Sequence, residues 1–122
     1  MKIKRTERGW AGHFCCADEC LFRRNTLLEY GDIHIVVSTI GAMMDEDEFV
    51  EIGRGRYYET MAFHAKHIED KYWDADVKRQ VYFNSNWNLP KIDDDNIVND
   101  MHEIVVNEII DGLENGNDYS PT

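Results

Sequence analysis

Hydrophobic and polar positions alternate with a period of two along much of the chain, and this period is typical of β-strands with one buried face. The clearest strand covers 33–40, where β-branched residues dominate. A turn at Gly31-Asp32 precedes it, so we predict a hairpin with the segment before the turn, although Leu27-Leu28 could also belong to a short helix. The other alternating or apolar segments predict further strands: 10–16, 20–30, 56–67 and 72–84.

The spacing of apolar residues changes to three and four after Asp93–Asp95, three aspartates that suit the N-terminus of a helix. Gly116 is a suitable end for that helix. The predicted apolar stripe consists of Ile97, Met101, Ile104, Val105, Ile109 and Leu113. The prediction is an α+β fold in which an antiparallel sheet of about four or five strands packs against one C-terminal amphipathic helix.

We expect one domain over residues 1–116 and a flexible tail over 117–122. Between the strands, 41–55 is predicted to be an acidic connection, and 85–92 is predicted to be a loop. Unprotected sheet edges, or a helix stripe shared between chains, would allow a homodimer.

The charge of the chain is uneven as well as acidic. The formal net charge is -11. From Met1 to Arg24 there are six Lys/Arg and three Asp/Glu, whereas from Asp93 to Thr122 there are nine Asp/Glu and no Lys or Arg. Such an acidic end repels the phosphate backbone of nucleic acid and attracts a basic protein surface. Simple solubility is the alternative explanation.

The sequence predicts a cytoplasmic protein. No apolar run approaches the length of about 20 residues that a membrane span needs. The three cysteines, Cys15, Cys16 and Cys20, lie within six residues, and their odd number favours reduced thiols. With His13 they do not have the paired spacing of a zinc site, so we predict no metal and no cofactor.

No motif of a nucleophile, a phosphate loop or a metalloprotease occurs, so an enzyme ranks last among the functions considered. A small hydrolase could still pair His64 with a carboxylate such as Asp74 for acid–base work. The sequence favours the simpler interpretation that the histidines are scattered over the surface, and we assign no catalytic residue.

A second hypothesis is a small nucleotide-binding or anion-binding protein. Arginine guanidinium groups pair well with phosphates and carboxylates, and tyrosines stack on bases. The alternative is that the arginines pair with some of the 24 Asp/Glu residues of the chain. The residues predicted for the ligand site are Arg23, Arg24, Asn25, Arg54, Arg56, Tyr58 and His64.

The segment Tyr57-Tyr58-Glu59-Thr60-Met61-Ala62-Phe63, followed later by Met101-His102-Glu103-Ile104-Val105-Val106, resembles small uncharacterised proteins of bacteriophages and prophages. Those proteins carry a Tyr-Glu-Thr-Met-x-Phe strand and a later helix with a histidine before an apolar pair. The resemblance covers about half of the chain and brings no functional residue with it. It implies an accessory protein of a mobile element in a bacterial host.

The leading hypothesis combines this context with the charge. It is a non-catalytic accessory protein that binds a host or phage protein, for example as an acidic inhibitor of nucleic-acid-binding or defence machinery. The partner would present a basic surface. The residues predicted to contact it are Asp100, Glu103, Asp111 and Glu114.

Overall fold

The computed structural model of the chain describes residues 2–8, 19–70 and 72–120. These residues form one antiparallel sheet and one helix, so the predicted α+β class is confirmed. The predicted strand over 10–16, together with His13, Cys15 and Cys16, lies outside the described residues. The elements are β1 (Lys4–Glu7), β2 (Cys20–Tyr30), β3 (Ile33–Asp45), β4 (Glu48–Val50), β5 (Tyr58–Glu69), β6 (Tyr72–Val81), β7 (Asn88–Leu89) and α1 (Asp95–Glu114).

The five longer strands have the order β1-β2-β3-β5-β6, while β4 pairs with β3 and β7 pairs with β5. The predicted hairpin is confirmed, because β2 and β3 pair antiparallel around Gly31, whose φ of 59° lies in the left-handed region that favours glycine. The acidic connection predicted over 41–55 was wrong in part, because β3 continues to Asp45 and then turns into β4. Residues 4–7, for which the sequence predicts no strand, form β1, which pairs along β2.

Gly41 lies inside β3, opposite Tyr58, at a point where no side chain fits. A Cβ atom there would lie 2.5 Å from the carbonyl oxygen of Tyr57 and 2.7 Å from Cγ of Tyr58. Gly41→Ala should therefore lower the free energy of unfolding by about 1–3 kcal/mol, since a backbone oxygen cannot move aside without breaking the strand pairing. Urea unfolding followed by circular dichroism measures this loss.

Gly116→Ala is the matched comparison for that variant. Nothing lies within 4 Å of the added methyl group there, and only the positive φ of 90° opposes it. Its effect should stay near 1 kcal/mol. Equal stability of Gly41→Ala and the wild type would show that the space around Gly41 is not as tight as described.

Helix α1 covers one face of the sheet. Its N-cap is Asp94, whose side chain accepts a hydrogen bond from the backbone N–H of Asn96 at 2.9 Å. The helix buries Val98, Met101, His102, Val105, Val106, Ile109 and Leu113. The last four of these pack against a core that includes Leu28, Ile35, Val37, Ala62 and Val81. Val98 and Met101 pack in a second cluster with Ala42 and Tyr58.

The predicted helix stripe was therefore wrong at two positions. Ile97 and Ile104 are 45% and 55% exposed, whereas Val98, His102 and Val106 are buried. The other four predicted positions are buried as expected: Met101, Val105, Ile109 and Leu113. The buried face is therefore turned by less than the roughly 100° that separates consecutive residues, and the two isoleucines lie outside it.

Strand β6 does not keep one set of side chains on one face. Ala65 of β5 pairs with Ala75, but Phe63, two residues away, pairs with Gln80. The residues between those two pairing points bulge outward, and Val77 in the bulge is 64% exposed. The period of two over 72–84 predicts a strand with one buried face, and this expectation was wrong for β6.

The sheet curls on the side opposite to α1. Leu27, Val36 and Ala65 form a buried cluster there, with Trp73 packed against it. Arg8, which follows β1, donates hydrogen bonds to the carbonyl oxygen of Trp73 and to Asn25 Oδ1. Because β1 and β6 are the two edges of the sheet, these contacts bring the edges towards each other, and both faces contain buried residues.

The residues after α1 return to the sheet. Tyr119 packs against the core cluster under α1, and its carbonyl oxygen lies 2.6 Å from Nε2 of His64. The sequence predicted a flexible tail from residue 117, whereas the aromatic ring at 119 contributes to the core.

The described part of the chain contains no helix with the length and apolar character of a membrane span.

Candidate functional site

One face of α1 points away from the sheet and carries both apolar and acidic side chains. Its exposed residues recur at spacings of three, four and seven, which places them on one side of the helix. We call this set the outer face of α1: Ile97, Asp100, Ile104, Asp111 and Glu114.

A shallow groove runs beside the outer face, between α1 and residues 85–89. Its volume is about 300 Å³. It is mainly apolar and is lined by Ser85, Asn86, Leu89, Ile97, Asp100, Met101 and Ile104. We call this space the docking groove.

Glu108 holds the far wall of the docking groove in place. Its carboxylate accepts hydrogen bonds from the backbone N–H groups of Asn84 and Ser85 at 2.8 and 2.9 Å, and from the Ser85 hydroxyl at 2.5 Å. Burial acts to raise the pKa of Glu108, but these hydrogen bonds outweigh it and lower the pKa. These hydrogen bonds hold residues 84 and 85 against the helix within the folded chain itself.

Three of the four acids predicted to contact a partner are free to do so. Asp100, Asp111 and Glu114 are exposed and form no ion pair within the described part of the chain. Glu103 differs, because Arg5 and Arg24 both donate to its carboxylate.

The hydrogen bond from Arg5 is the main reason that the pKa of Glu103 falls to about 2, and Arg24 adds to it. The charge of Glu103 is thereby balanced inside the fold. Glu103 fastens α1 to β1 and β2 and does not belong to the outer face.

A chain of short hydrogen bonds runs through the core beneath α1. His102, which is fully buried, bonds through Nε2 to Thr26 Oγ1 and through Nδ1 to Thr39 Oγ1, both at 2.7 Å. Thr39 Oγ1 lies 2.6 Å from Thr60 Oγ1, and Thr26 Oγ1 lies 2.9 and 3.0 Å from the two carboxylate oxygens of Glu7. We call these five residues the His102 relay.

The charge of Glu7 determines which group donates in each hydrogen bond of the His102 relay. Burial acts to raise the pKa of Glu7, but hydrogen bonds from Arg24, Arg5 and Thr26 lower it, so the carboxylate is ionised and can only accept. The Thr26 hydroxyl therefore donates to Glu7, and His102 must donate its Nε2–H to Thr26. Nδ1 of His102 then accepts from the hydroxyl of Thr39.

This arrangement suits a neutral imidazole. Burial is the main cause that lowers the pKa of His102 to about 4, and the positive charge of Arg24 lowers it further. A neutral imidazole without exposed surface cannot reach a substrate in this state. The expectation that the histidines lie scattered on the surface was wrong for His102 and also for His64, which is 6% exposed.

The residues predicted for a ligand site do not come together in one place. Arg23 and Arg24 point to opposite faces of β2, and Arg24 is engaged with Glu7 and Glu103. Buried Asn25 accepts from Arg8 on the face away from α1. These positions on β2 are separated from β5 by β3.

The other predicted ligand residues lie near or within β5. Arg54 belongs to the turn before that strand, and Arg56 lies 3.5 Å from Glu59 in an ion pair. The buried Tyr58 donates its hydroxyl to the carbonyl oxygen of Ile92 at 3.1 Å, and His64 contacts the C-terminal segment. Of this set, Arg56 and Tyr58 line cavities, and the two cavities are different ones.

The described residues contain no group of three or more His, Cys, Asp or Glu side chains placed to hold a metal ion. Cys20 is buried as a free thiol. His13, Cys15 and Cys16, which were considered together with Cys20 as zinc ligands on the sequence alone, lie outside the described residues.

Sequence reasoning missed the apolar half of the outer face and the whole His102 relay. A signal for the relay was present, because each of its three threonines lies two residues from an apolar residue and so shares a strand face with it: Thr26 with Leu28, Thr39 with Val37, and Thr60 with Ala62. No signal distinguished exposed Ile97 and Ile104 from the buried members of the stripe. Their position depends on how α1 is rotated against the sheet.

No protein-family model matches the chain, and the comparisons with curated proteins and with solved structures found no match either.

Proposed function

We propose that the protein is a non-catalytic accessory protein that binds another protein through the outer face of α1 and the docking groove. The observation that carries this proposal is the combination of exposed Ile97 and Ile104 with unpaired Asp100 on one side of a helix. A partner segment with apolar side chains flanked by Lys or Arg satisfies both features.

The two kinds of side chain make different contributions. Burying a fully exposed isoleucine side chain stabilises a complex by about 1.5–3 kcal/mol. Ile97 and Ile104 are about half exposed before binding, so covering the rest of both side chains supplies part of the affinity. The carboxylates add specificity and speed of association, since an acidic surface attracts basic partners and repels acidic ones. The groove gives the apolar anchors a place to enter, which a flat charged surface would lack.

The charge also narrows the class of partner. The stretch from Asp93 to Thr122 contains no Lys or Arg, so direct contact with nucleic acid is disfavoured. The same stretch fits a protein whose basic surface would otherwise face nucleic acid. We propose that covering such a surface inhibits nucleic-acid-binding or defence machinery, in the mobile-element context that the sequence resemblance implies.

A synthetic peptide provides a direct test. The probe is an amphipathic helix with leucines at i, i+3 and i+7 flanked by arginines, titrated into ¹⁵N-labelled protein. We expect chemical-shift changes confined to the outer face of α1 and residues 85–89. The triple variant Asp100→Asn, Asp111→Asn, Glu114→Gln should weaken binding about tenfold, and Ile104→Ser should weaken it about fivefold.

A second triple variant removes the same charge elsewhere. Glu46→Gln, Asp47→Asn and Glu48→Gln neutralise three exposed acids of the β3–β4 hairpin and should leave the affinity within about twofold. An equal loss of affinity in both triple variants, or shift changes spread over the sheet, would show that the peptide senses only net charge and would refute the docking surface.

A further inference from the structure

Two cavities adjoin each other at β6, an edge strand of the sheet, and no residue of the outer face of α1 lines either of them. The first lies between Arg56, Trp87 and the end of β6, and the second lies against the β6 bulge at Lys78 and Arg79. Each has a volume of about 500 Å³. They share Gln80 and Tyr82 as lining residues, which places the two cavities next to each other.

The first cavity is built around aromatic rings. Trp87 and Tyr82, which both line it, are 41% and 77% exposed, although large rings of this kind gain free energy when covered. The backbone carbonyl of Trp87 accepts a hydrogen bond from the Thr60 N–H at 2.7 Å, which fixes this segment against β5. The cavity therefore offers a positioned surface on which a planar ring can stack.

Arg56 lines the same cavity beside Trp87. Its guanidinium carbon is 5.3 Å from the centre of the Trp87 ring. The group folds back over Gly53, where any side chain would collide with it. Its Nε is buried, lies 3.5 Å from Glu59 Oε2 and makes no hydrogen bond with any described group.

The second cavity provides positive charge. Lys78 and Arg79 are adjacent, exposed and without an ion pair in the described part of the chain. Two adjacent unpaired cations next to a ring-binding cavity form a local site for an anion.

We infer that the two cavities together bind an anionic ligand with a planar ring, of the chemistry of a nucleoside monophosphate. The ring stacks on Trp87 and Tyr82, and its polar edge meets Arg56 and Gln80. The phosphate lies against Lys78 and Arg79. The site shares no lining residue with the docking groove, so binding at one site can be disproved without disproving binding at the other.

The test is a titration of the ¹⁵N-labelled protein with the monophosphates of adenosine, guanosine, cytidine and uridine, followed at the indole N–H of Trp87 and the amides of residues 77–83. At least one should bind saturably with a Kd below about 1 mM. The matching nucleoside and inorganic phosphate alone should each bind about tenfold more weakly, since each retains only half of the contacts. Equal binding of either fragment would refute the combined site.

Variants locate the site. Trp87→Ala and the double variant Lys78→Gln, Arg79→Gln should each weaken binding about tenfold, whereas Trp87→Phe should preserve it within about threefold because a stacking ring remains. Lys66→Gln, an exposed cation on β5, is the matched control and should leave the affinity unchanged. Thermal unfolding confirms that each variant is folded before it is titrated.

The inference is overturned if none of the four monophosphates binds below 1 mM, or if binding persists unchanged in both Trp87→Ala and the double variant. Loss of binding in Lys66→Gln to the same extent would also overturn it, because the ligand would then sense general charge. None of these outcomes depends on the peptide titration at the outer face of α1.

Discussion

Replacing His102 with glutamine should lower the free energy of unfolding by about 3 kcal/mol at pH 7. The glutamine amide can replace one of the two 2.7 Å hydrogen bonds that join α1 to Thr26 and Thr39, but it cannot span both. One buried hydroxyl then loses its partner, and a cavity opens where the ring was. Urea unfolding at pH 7, followed by circular dichroism, measures the loss.

The same variant should change how stability depends on pH. The pKa of His102 is about 4 in the folded protein and about 6.5 in the unfolded chain. Between these values the unfolded chain binds a proton that the folded protein does not. The contribution of neutral His102 is therefore complete above pH 6.5 and is lost as the pH falls towards 4, by at most about 1.4 kcal/mol per pH unit.

The difference in stability between wild type and His102→Gln should thus shrink from about 3 kcal/mol at pH 7 to near zero at pH 4. Glu7 and Glu103, whose pKa values are lowered in the folded protein, also lose stabilisation as the pH falls towards 4. Both proteins carry these carboxylates, so their contribution cancels in the difference. His67→Gln removes an exposed imidazole as a control and should keep the wild-type dependence. A constant difference between pH 7 and pH 4 would rule out a neutral, buried His102.

Ile109→Ala should lower the free energy of unfolding by about 3 kcal/mol, whereas Ile104→Ala should change it by less than about 0.5 kcal/mol. Both residues belong to the apolar stripe of the sequence, but Ile109 is fully buried and Ile104 is 55% exposed. Truncating Ile109 leaves a cavity between α1 and the sheet. Truncating Ile104 removes surface that already contacts water.

The pair of variants measures the rotation of α1 directly. Chemical denaturation of both proteins under identical conditions is sufficient, with Leu113→Ala as a second buried position that should resemble Ile109→Ala. If Ile104→Ala proved as damaging as Ile109→Ala, the helix would be turned towards the stripe that the sequence predicts. The exposed isoleucines that support the proposed docking surface would then be absent.

Local patterns were sufficient for α1 and the four longest strands, but not for the short strands β1, β4 and β7. Period-two alternation identified β2 and β5, a run of β-branched residues identified β3, and Gly31-Asp32 identified the turn of the hairpin, because side-chain direction and turn conformation depend on neighbouring residues. The end of β3 was missed. Gly41 reads as a break in isolation, but in the fold it makes room for Tyr58 of another strand.

The candidate surfaces were predictable only in part. The acidity of the outer face of α1 could be read from composition, and Asp100, Asp111 and Glu114 are indeed exposed. The role of Glu103 in fastening α1 to β1 and β2 could not be predicted from the sequence. Its partners Arg5 and Arg24 are about 80–100 residues away and meet it only when β1, β2 and α1 assemble. The cavity at Arg56 and Trp87 is equally non-local.

What the sequence determined by itself is therefore the class of fold, the hairpin, the position of the helix and the acidic character of the C-terminal quarter of the chain. The tertiary structure alone decided which side of α1 faces the sheet, that His102 is enclosed between two threonines, and that the β6 bulge brings Lys78 beside an aromatic cavity. The reason is physical. Periodicity and turn chemistry act between near neighbours, whereas rotation, register shifts and buried hydrogen bonds are set by packing between segments distant in the chain.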